Sequence, residues 1–261
     1  MESFEAYRCL YKLDDRVALV AGGAGGIGSA ISAGLAAFGA HVVVADLASD
    51  KASSLAQEIG AAGGRAQALP LDSTNVAQLN EALQKLVEET GRLDILINCI
   101  GTHIEAPAED YTEQDWDRVV DLNLKAAFFL SQAVARLQIP RGGGKHVHIS
   151  SVRSQLGLKR GYIAYTSSKG GLNLMIKQLA TEWAKYNITV NGIAPTFART
   201  DLVRAYLEDP DFYNPLVARI PLGRVCEPKD LAGLAIYLAA PASNFITGQI
   251  IFADGGVTAS Q

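Results

Sequence analysis

Cysteine is scarce in this chain: Cys9, Cys99 and Cys226 are the only three among 261 residues. An odd number without metal-like spacing suggests neither a disulfide framework nor a zinc site, and it fits a reducing cytoplasm. Positive charge is also in short supply, because 23 Lys+Arg face 27 Asp+Glu and leave a formal net charge of -4. Nucleic acid and anionic membrane both demand clustered cations in excess, so neither is an expected partner. The opening MESFEAYRCLYKLDD has no continuous apolar stretch, and no signal peptide is expected. From Val17 to Ala45 there is no Asp, Glu, Lys or Arg, a run long enough to imitate a membrane span of ~20 residues. Gly22, Gly23, Gly25, Gly26, Gly28, Gly34 and Gly39 break that reading. A buried strand, a tight turn and a small-residue helix explain the stretch better.

What the chain does contain is alternation. Apolar or β-branched runs at Val17–Ala21, Val42–Ala45, Ala66–Leu71, Leu93–Ile97, His146–Ser150, Thr189–Ala194 and Ile250–Ala253 read as strands. Between them, 27–38, 50–62, 75–90, 113–138, 165–185 and 229–240 carry apolar residues at helical spacing. Strands alternating with helices pair in parallel through right-handed crossovers, so the expected fold is α/β: a single doubly wound parallel sheet flanked by helices. No linker or repeat interrupts it, and 1–261 reads as one domain. Segment 197–226 lacks clear periodicity and contains Pro210, Pro215 and Pro221; it reads as a loop acting as a substrate lid.

The first strand runs into Gly22-Gly23-Ala24-Gly25-Gly26-Ile27-Gly28 and then a helix. Glycines there let backbone amides close on a pyrophosphate at the helix N-terminus, the mark of a Rossmann-type dinucleotide site. Asp46 ends the second strand about 20 residues further on, where a carboxylate accepts both ribose hydroxyls. A 2′-phosphate would meet like charge at Asp46, and Leu47-Ala48-Ser49 offers no arginine to compensate, so NAD is expected rather than NADP. Tyr165 and Lys169 lie four apart at a helix start, one turn apart on one face. Ser151 lies upstream, where the strand of His148-Ile149-Ser150 ends, the end of an open α/β sheet at which ligands bind.

With these motifs in order, the sequence resembles a short-chain dehydrogenase/reductase along nearly its whole length. The matching positions are the glycine turn, Asp46, Asp72, Asn98, Asn123, Ser151, Tyr165, Lys169, Asn191, Pro195, Thr200 and Asp254-Gly255-Gly256. The resemblance implies Tyr165 as acid/base, its phenolate favoured by a nearby ammonium and a cationic nicotinamide. It implies Ser151 polarising the reacting oxygen, Lys169 binding the nicotinamide ribose while lowering the tyrosine pKa, and Asn123 holding a relay water. Asp72 would contact adenine, Asn98 would line the cofactor and Thr200 would bind the carboxamide just after Pro195. Ile27, Leu47, Ser73 and Gly101 complete the expected cofactor contacts. Family members are usually homotetramers, which makes a homo-oligomer the expected assembly.

Departures from the family pattern are local. Ala21 replaces the usual Thr, and Asn98-Cys99-Ile100-Gly101 stands for Asn-Asn-Ala-Gly, with Cys99 as a packing substitute. Pro195-Thr196 replaces Pro-Gly and demands a negative φ at Thr196. The gap from Ser151 to Tyr165 is one residue longer than common.

Substrate contacts are expected from His103 and Glu105, from Arg153 and Gln155, and from Phe197, Arg199, Arg204 and Tyr206. A guanidinium two residues past Ser151 could pair bidentately with an anionic substrate, whereas surface ion pairing is the plainer role for Arg153 and Arg199. Ala180-Thr181-Glu182-Trp183-Ala184-Lys185 and the closing Asp254-Gly255-Gly256-Val257-Thr258-Ala259-Ser260 are similar to sugar-acid dehydrogenases of the gluconate and deoxygluconate group. The resulting expectation is NAD-dependent hydride transfer on a sugar, sugar acid or polyol. The alternatives are a 3-oxoacyl or other carbonyl reductase, and a non-catalytic NAD-binding sensor. His146 and His148 share a strand face without a third ligand and read as a packed pair rather than a metal site; Trp116 and Trp183 read as core or subunit-contact residues.

Overall fold

The computed structural model describes residues 3–200 and 203–260. It has one seven-stranded sheet, all parallel, in the order β3-β2-β1-β4-β5-β6-β7. The strands are β1 (Val17–Ala21), β2 (His41–Asp46), β3 (Arg65–Pro70), β4 (Ile95–Asn98), β5 (Gly144–Ile149), β6 (Ile188–Pro195) and β7 (Ile250–Ala253). All seven expected strands form, with ends shifted by two residues at most. β1 and β6 are buried at every position, as a parallel sheet covered on both faces requires. On one face lie α2 (Gly26–Ala37) and α10 (Pro228–Ala239), whose Ile31, Leu35, Leu231 and Ala235 pack on Val20, Val42, Val44 and Ile97. Gly34 lets the two helices meet closely, since a Cβ there would lie 3.2 Å from Ile236. On the other face α4 (Val76–Thr90) and α6 (Ala126–Gln138) pack Leu79, Leu83, Leu130 and Val134 against Leu19, Val43 and Leu96. Each such side chain contributes about 1.5–3 kcal/mol by leaving water. α3 (Ser49–Ala61) crosses between β2 and β3, and α7 (Ile163–Trp183) between β5 and β6.

The charge-free run resolves into β1, a turn, α2 and most of β2, and among the described residues no helix is long and apolar enough to cross a membrane. Among them, only Asp15 and Asn187 combine a side chain with positive φ, so Thr196 meets the condition set by its missing glycine.

Three elements differ from expectation. A short α1 (Phe4–Cys9) forms before β1, with the Ser3 hydroxyl accepting from the amide of Ala6. It buries no residue, so no hydrophobic period could announce it. The single helix expected over 113–138 is instead α5 (Glu113–Val120), a wide π turn at Asp121–Lys125, and α6. The extra residue in that turn directs Asn123 inward, where it is 1% exposed. Segment 197–226, expected as a loop, carries α8 (Arg204–Glu208) and α9 (Pro210–Val217). Pro210 sits at a helix start, where a missing N–H costs nothing, and Leu207, Ile220 and Val225 form a small core beneath. Helices this short hold too few turns to show a period.

The histidines of β5 are buried; both nitrogens of His148 and Nε2 of His146 have partners, while His146 Nδ1 makes no hydrogen bond. His148 Nδ1 lies 3.3 Å from the amide nitrogen of Asn98 and its Nε2 3.2 Å from the Ser131 hydroxyl. His146 Nε2 lies 2.9 Å from Gln138 Oε1, with its ring edge-on to Trp183. Burial, and next the charge of Lys169, push His148 down to about 3, so it is neutral at physiological pH. Asn98 Oδ1 also accepts from the amide of Ile100, which joins the end of β4 to β5 and α6 through one side chain. Asn98→Ala would leave the Ile100 amide and His148 without this partner. It should cost about 1–3 kcal/mol, read as a lower urea midpoint at unchanged m-value.

Candidate active site

Where the strand order reverses, between β1 and β4, the carboxyl ends of the strands open a cleft of about 420 Å³. It is lined continuously from Gly22, Gly25, Gly26, Ile27 and Gly28 past Gly101 to Ser151, Tyr165, Lys169, Pro195 and Thr200. A crevice at this switch point is where open α/β sheets bind ligands.

The glycine turn is shaped by close approach. Gly22 has φ +71, and a Cβ on it would lie 3.1 Å from the Cys99 carbonyl carbon. A Cβ on Gly28 would strike the Gly22 carbonyl, and one on Gly26 would lie 2.6 Å from the Thr200 methyl. No side chain caps the N-terminus of α2, so its first amides face the cleft, ready for an anion. Asp46 is held rigidly: its Oδ2 accepts from the amide of Ala24 at 3.1 Å and its Oδ1 from that of Ala48 at 3.0 Å. An uncapped helix end, a turn without side chains and a fixed carboxylate match a dinucleotide's pyrophosphate and ribose in their order along the chain.

At the other end, Lys169 is 4% exposed and donates to the Ile149 carbonyl at 2.8 Å. Burial pulls its pKa down to about 8. Its ammonium lies 5.8 Å from the Tyr165 ring centroid. Gly101 leaves room for this arrangement, since a Cβ there would lie 3.4 Å from Lys169 Nζ and 3.5 Å from Asn123 Oδ1. Asn123 accepts from the Thr102 amide at 2.8 Å and donates to the Thr102 carbonyl and the Ser168 hydroxyl. Burial raises the Tyr165 pKa, against which a hydrogen bond with Ser151 and the charge of Arg153 act. In the cleft without cofactor, desolvation of the anion outweighs these neighbours and favours the phenol. Cys99 is held as a thiol, pushed to about 12 by burial.

Of the expected substrate residues, His103, Arg153, Phe197 and Tyr206 line the cleft. Arg153 is partly buried and donates to the Gly157 carbonyl at 3.1 Å. Among the described residues no carboxylate pairs with it, and burial lowers its pKa. Arg199 instead pairs with Glu227 at 2.9 Å, and both it and the exposed Gln155 lie outside the cleft lining. Arg204, at the start of α8, is likewise not in the lining. Asp72 Oδ1 accepts from the Thr74 amide and hydroxyl; it, Ser73, Leu47 and Asn98 stand apart from the lining.

One residue went unremarked in the sequence. Arg160 pairs bidentately with Glu105, with both contacts at 2.8 Å. Its guanidinium carbon lies 5.9, 5.7 and 5.3 Å from the ring centroids of Tyr162, Tyr206 and Phe212. Three segments meet there: the loop after β4, the loop before α7, and α8 with α9. Tyr162 and His103 in turn pack edge-on to Tyr165. The only hint in sequence was a Lys159-Arg160 pair close to Tyr162, which looks like any solvated turn.

With this geometry in place, the class of protein follows. Residues 22–258 match the family profile described as enoyl-(acyl carrier protein) reductase, and the chain belongs to the short-chain dehydrogenase/reductase family, as a nicotinamide-dependent oxidoreductase. Among curated relatives it is 36% identical over 251 residues to gluconate 5-dehydrogenase of Gluconobacter oxydans, covering 96% of this chain and 98% of that protein. It is 36% identical to D-threitol dehydrogenase of Mycolicibacterium smegmatis, covering 95% of each. A crystal structure of a gluconate 5-dehydrogenase from Burkholderia cenocepacia in complex with NADP and tartrate superposes with a TM-score of 0.93 at 37% identity, covering 97% of this chain and 99% of that one.

Arg160→Ala should loosen the junction of the three segments and raise KM about 5- to 30-fold, the equivalent of about 1–2 kcal/mol of ion-pair and ring contacts. Lysine should not rescue it, since it lacks the planar fork. Steady-state kinetics of both variants checks this, and an unchanged KM in Arg160→Ala would count against it.

Proposed function

We propose that this enzyme oxidises a secondary or anomeric hydroxyl of a sugar acid, or of a related sugar or polyol, with NAD, and that 197–226 forms the lid over its substrate. The observation that carries the substrate class is Arg153: a partly buried guanidinium beside Tyr165, lacking a carboxylate partner among the described residues. A buried cation without a counter-charge is costly unless the ligand supplies one. Sugar-acid and polyol dehydrogenases among the relatives, one described with the dicarboxylate tartrate, support the same class.

A bound nicotinamide would supply the hydride acceptor for the carbinol carbon. Ser151 donates a hydrogen bond to the substrate oxygen, and Tyr165 Oη takes the hydroxyl proton as the carbonyl forms. Lys169 would hold the nicotinamide ribose, and its positive charge would stabilise the phenolate that burial alone disfavours. Asn123, fixed by Thr102 and Ser168, stands within reach of Lys169 across Gly101 to order the water that carries the proton away.

Asp46 supports NAD as the physiological cofactor, because its carboxylate is locked by two backbone amides where a 2′-phosphate would lie. NADP in the Burkholderia relative makes this a point for measurement. Three unpaired cysteines fit a reducing cytoplasm. Exposed Trp116 on α5 and Leu174 on α7 fit a homotetramer joined through those helices.

Tyr165→Phe should abolish turnover while NAD affinity, followed by protein fluorescence, stays within about threefold; residual turnover near wild type would remove Tyr165 from the mechanism. Arg153→Ala should raise KM for acid substrates about 30- to 150-fold, for about 2–3 kcal/mol of charge-assisted bonding, with little change for neutral polyols. Equal effects on both would assign Arg153 to the scaffold. Asp46→Ser should raise kcat/KM for NADP relative to NAD at least about tenfold, and an unchanged ratio would place cofactor selection elsewhere.

A further inference from the structure

A second cleft, of about 560 Å³, lies at the opposite edge of the sheet from the active site, against the amino ends of β4, β5 and β6. Its charged lining is Arg16, Arg92, Arg141 and Lys145 against one carboxylate, Asp94. In a chain of net charge -4 this is a local inversion of sign. Asp94 is already saturated: it accepts from Arg16 at 3.1 Å, from Arg92 at 2.8 and 2.6 Å, and from the amide of Val17 at 2.9 Å. Each guanidinium has five donors, so most of those on Arg16 and Arg92 remain unused, and Arg141 has no ion pair among the described residues.

The wall of the cleft covers a buried donor without a partner. Lys145 and Thr189 are register partners on β5 and β6, so their side chains share the α10 face of the sheet. Thr189 is 9% exposed, lines the cleft, and its hydroxyl makes no hydrogen bond. Lys145 reaches only the Ser243 hydroxyl, at 3.3 Å. The amides of Gly142, Gly143 and Gly144 are spent on Ile139, Gln138 and Asn187, which leaves recognition to side chains.

We propose that this cleft is a second ligand site, for a small phosphorylated molecule carrying at least two negative charges, with its phosphate held by Arg16, Arg141 and Lys145. Guanidinium forks and an ammonium together suit a phosphate's several oxygens, and the volume exceeds what a lone inorganic ion fills. Burial, and next the like charge of Arg16, pull the Lys145 pKa down to about 8. An anion reverses that pull. Binding therefore takes up protons near pH 8, and affinity falls as pH rises through that value and Lys145 loses its charge. The groups facing Lys145 are Arg16 before β1, Arg92 and Asp94 before β4, Arg141 before β5, Thr189 on β6 and Ser243 after α10.

The test is isothermal titration of pyrophosphate into enzyme saturated with NAD, so that the dinucleotide's own phosphate site is filled, in two buffers of different ionisation enthalpy at pH 8. One pyrophosphate per chain is expected, with net proton uptake. Arg141→Gln, at an exposed position, should weaken it about tenfold or more, and Lys145→Met should remove the proton uptake. Both variants should retain wild-type oxidoreductase kinetics without pyrophosphate, which shows that they are folded. No saturable heat at millimolar pyrophosphate, or binding that neither substitution alters, would overturn the proposal.

Discussion

The active site is organised around a buried ammonium that has no carboxylate beside it. Lys169 is 4% exposed and holds only a backbone carbonyl at 2.8 Å. Removing a cation from water without pairing it is expensive, and the fall of its pKa to about 8 is the measure of that cost. Its surroundings follow from this. Cys99 is held as a thiol and His148 as a neutral imidazole, so neither adds a competing charge. Gly101 has no side chain to fill the space toward Asn123. The group that can answer the ammonium is Tyr165, whose own phenolate is disfavoured by burial until positive charge accumulates around it. Lysine and tyrosine each resist ionisation when buried alone, and the proposed proton transfer draws on placing the two a few ångströms apart.

The sheet makes this arrangement possible. Its all-parallel order aligns every strand's carboxyl end on one side, so β1, β4, β5 and β6 deliver the glycine turn, Gly101, Ser151 and Pro195 to one crevice. The same alignment leaves the amino ends of β4, β5 and β6 together on the far side, where short turns bring Arg16, Arg92, Arg141 and Lys145 into one cleft. The two sites belong to opposite edges of one scaffold. Changes in the loops at one edge can therefore alter binding there without disturbing the reacting groups at the other.

The strands were legible because parallel strands are continuous apolar runs: Val17–Ala21, fully buried, and Ile250–Ala253, a half-buried edge strand, both match residue for residue. Ser151, Tyr165 and Lys169 were legible because chemistry restricts which side chains can stand at those spacings. The π turn at Asp121–Lys125 was not: it differs from an α-helix by one residue's registration, and its sequence is as helical as its flanks. Nor was the partner of an arginine. Arg153 and Arg199 look alike in sequence, yet one faces the cleft and the other pairs with Glu227, and only the packing of segment 197–226 decides which. Arg160 escaped notice for the same reason, since its partners Glu105, Tyr206 and Phe212 come from distant parts of the chain.

The proposed function has an anionic sugar drawn to Tyr165 and Lys169, with NAD as hydride acceptor. The most direct measurement is initial-rate formation of reduced nicotinamide with matched pairs of sugar acids and their uncharged amides or alditols. The prediction is turnover that favours the acid of each pair through a lower KM. Equal turnover of acid and neutral partner, or turnover confined to oxoacyl and apolar ketone substrates in the reverse direction, would contradict it.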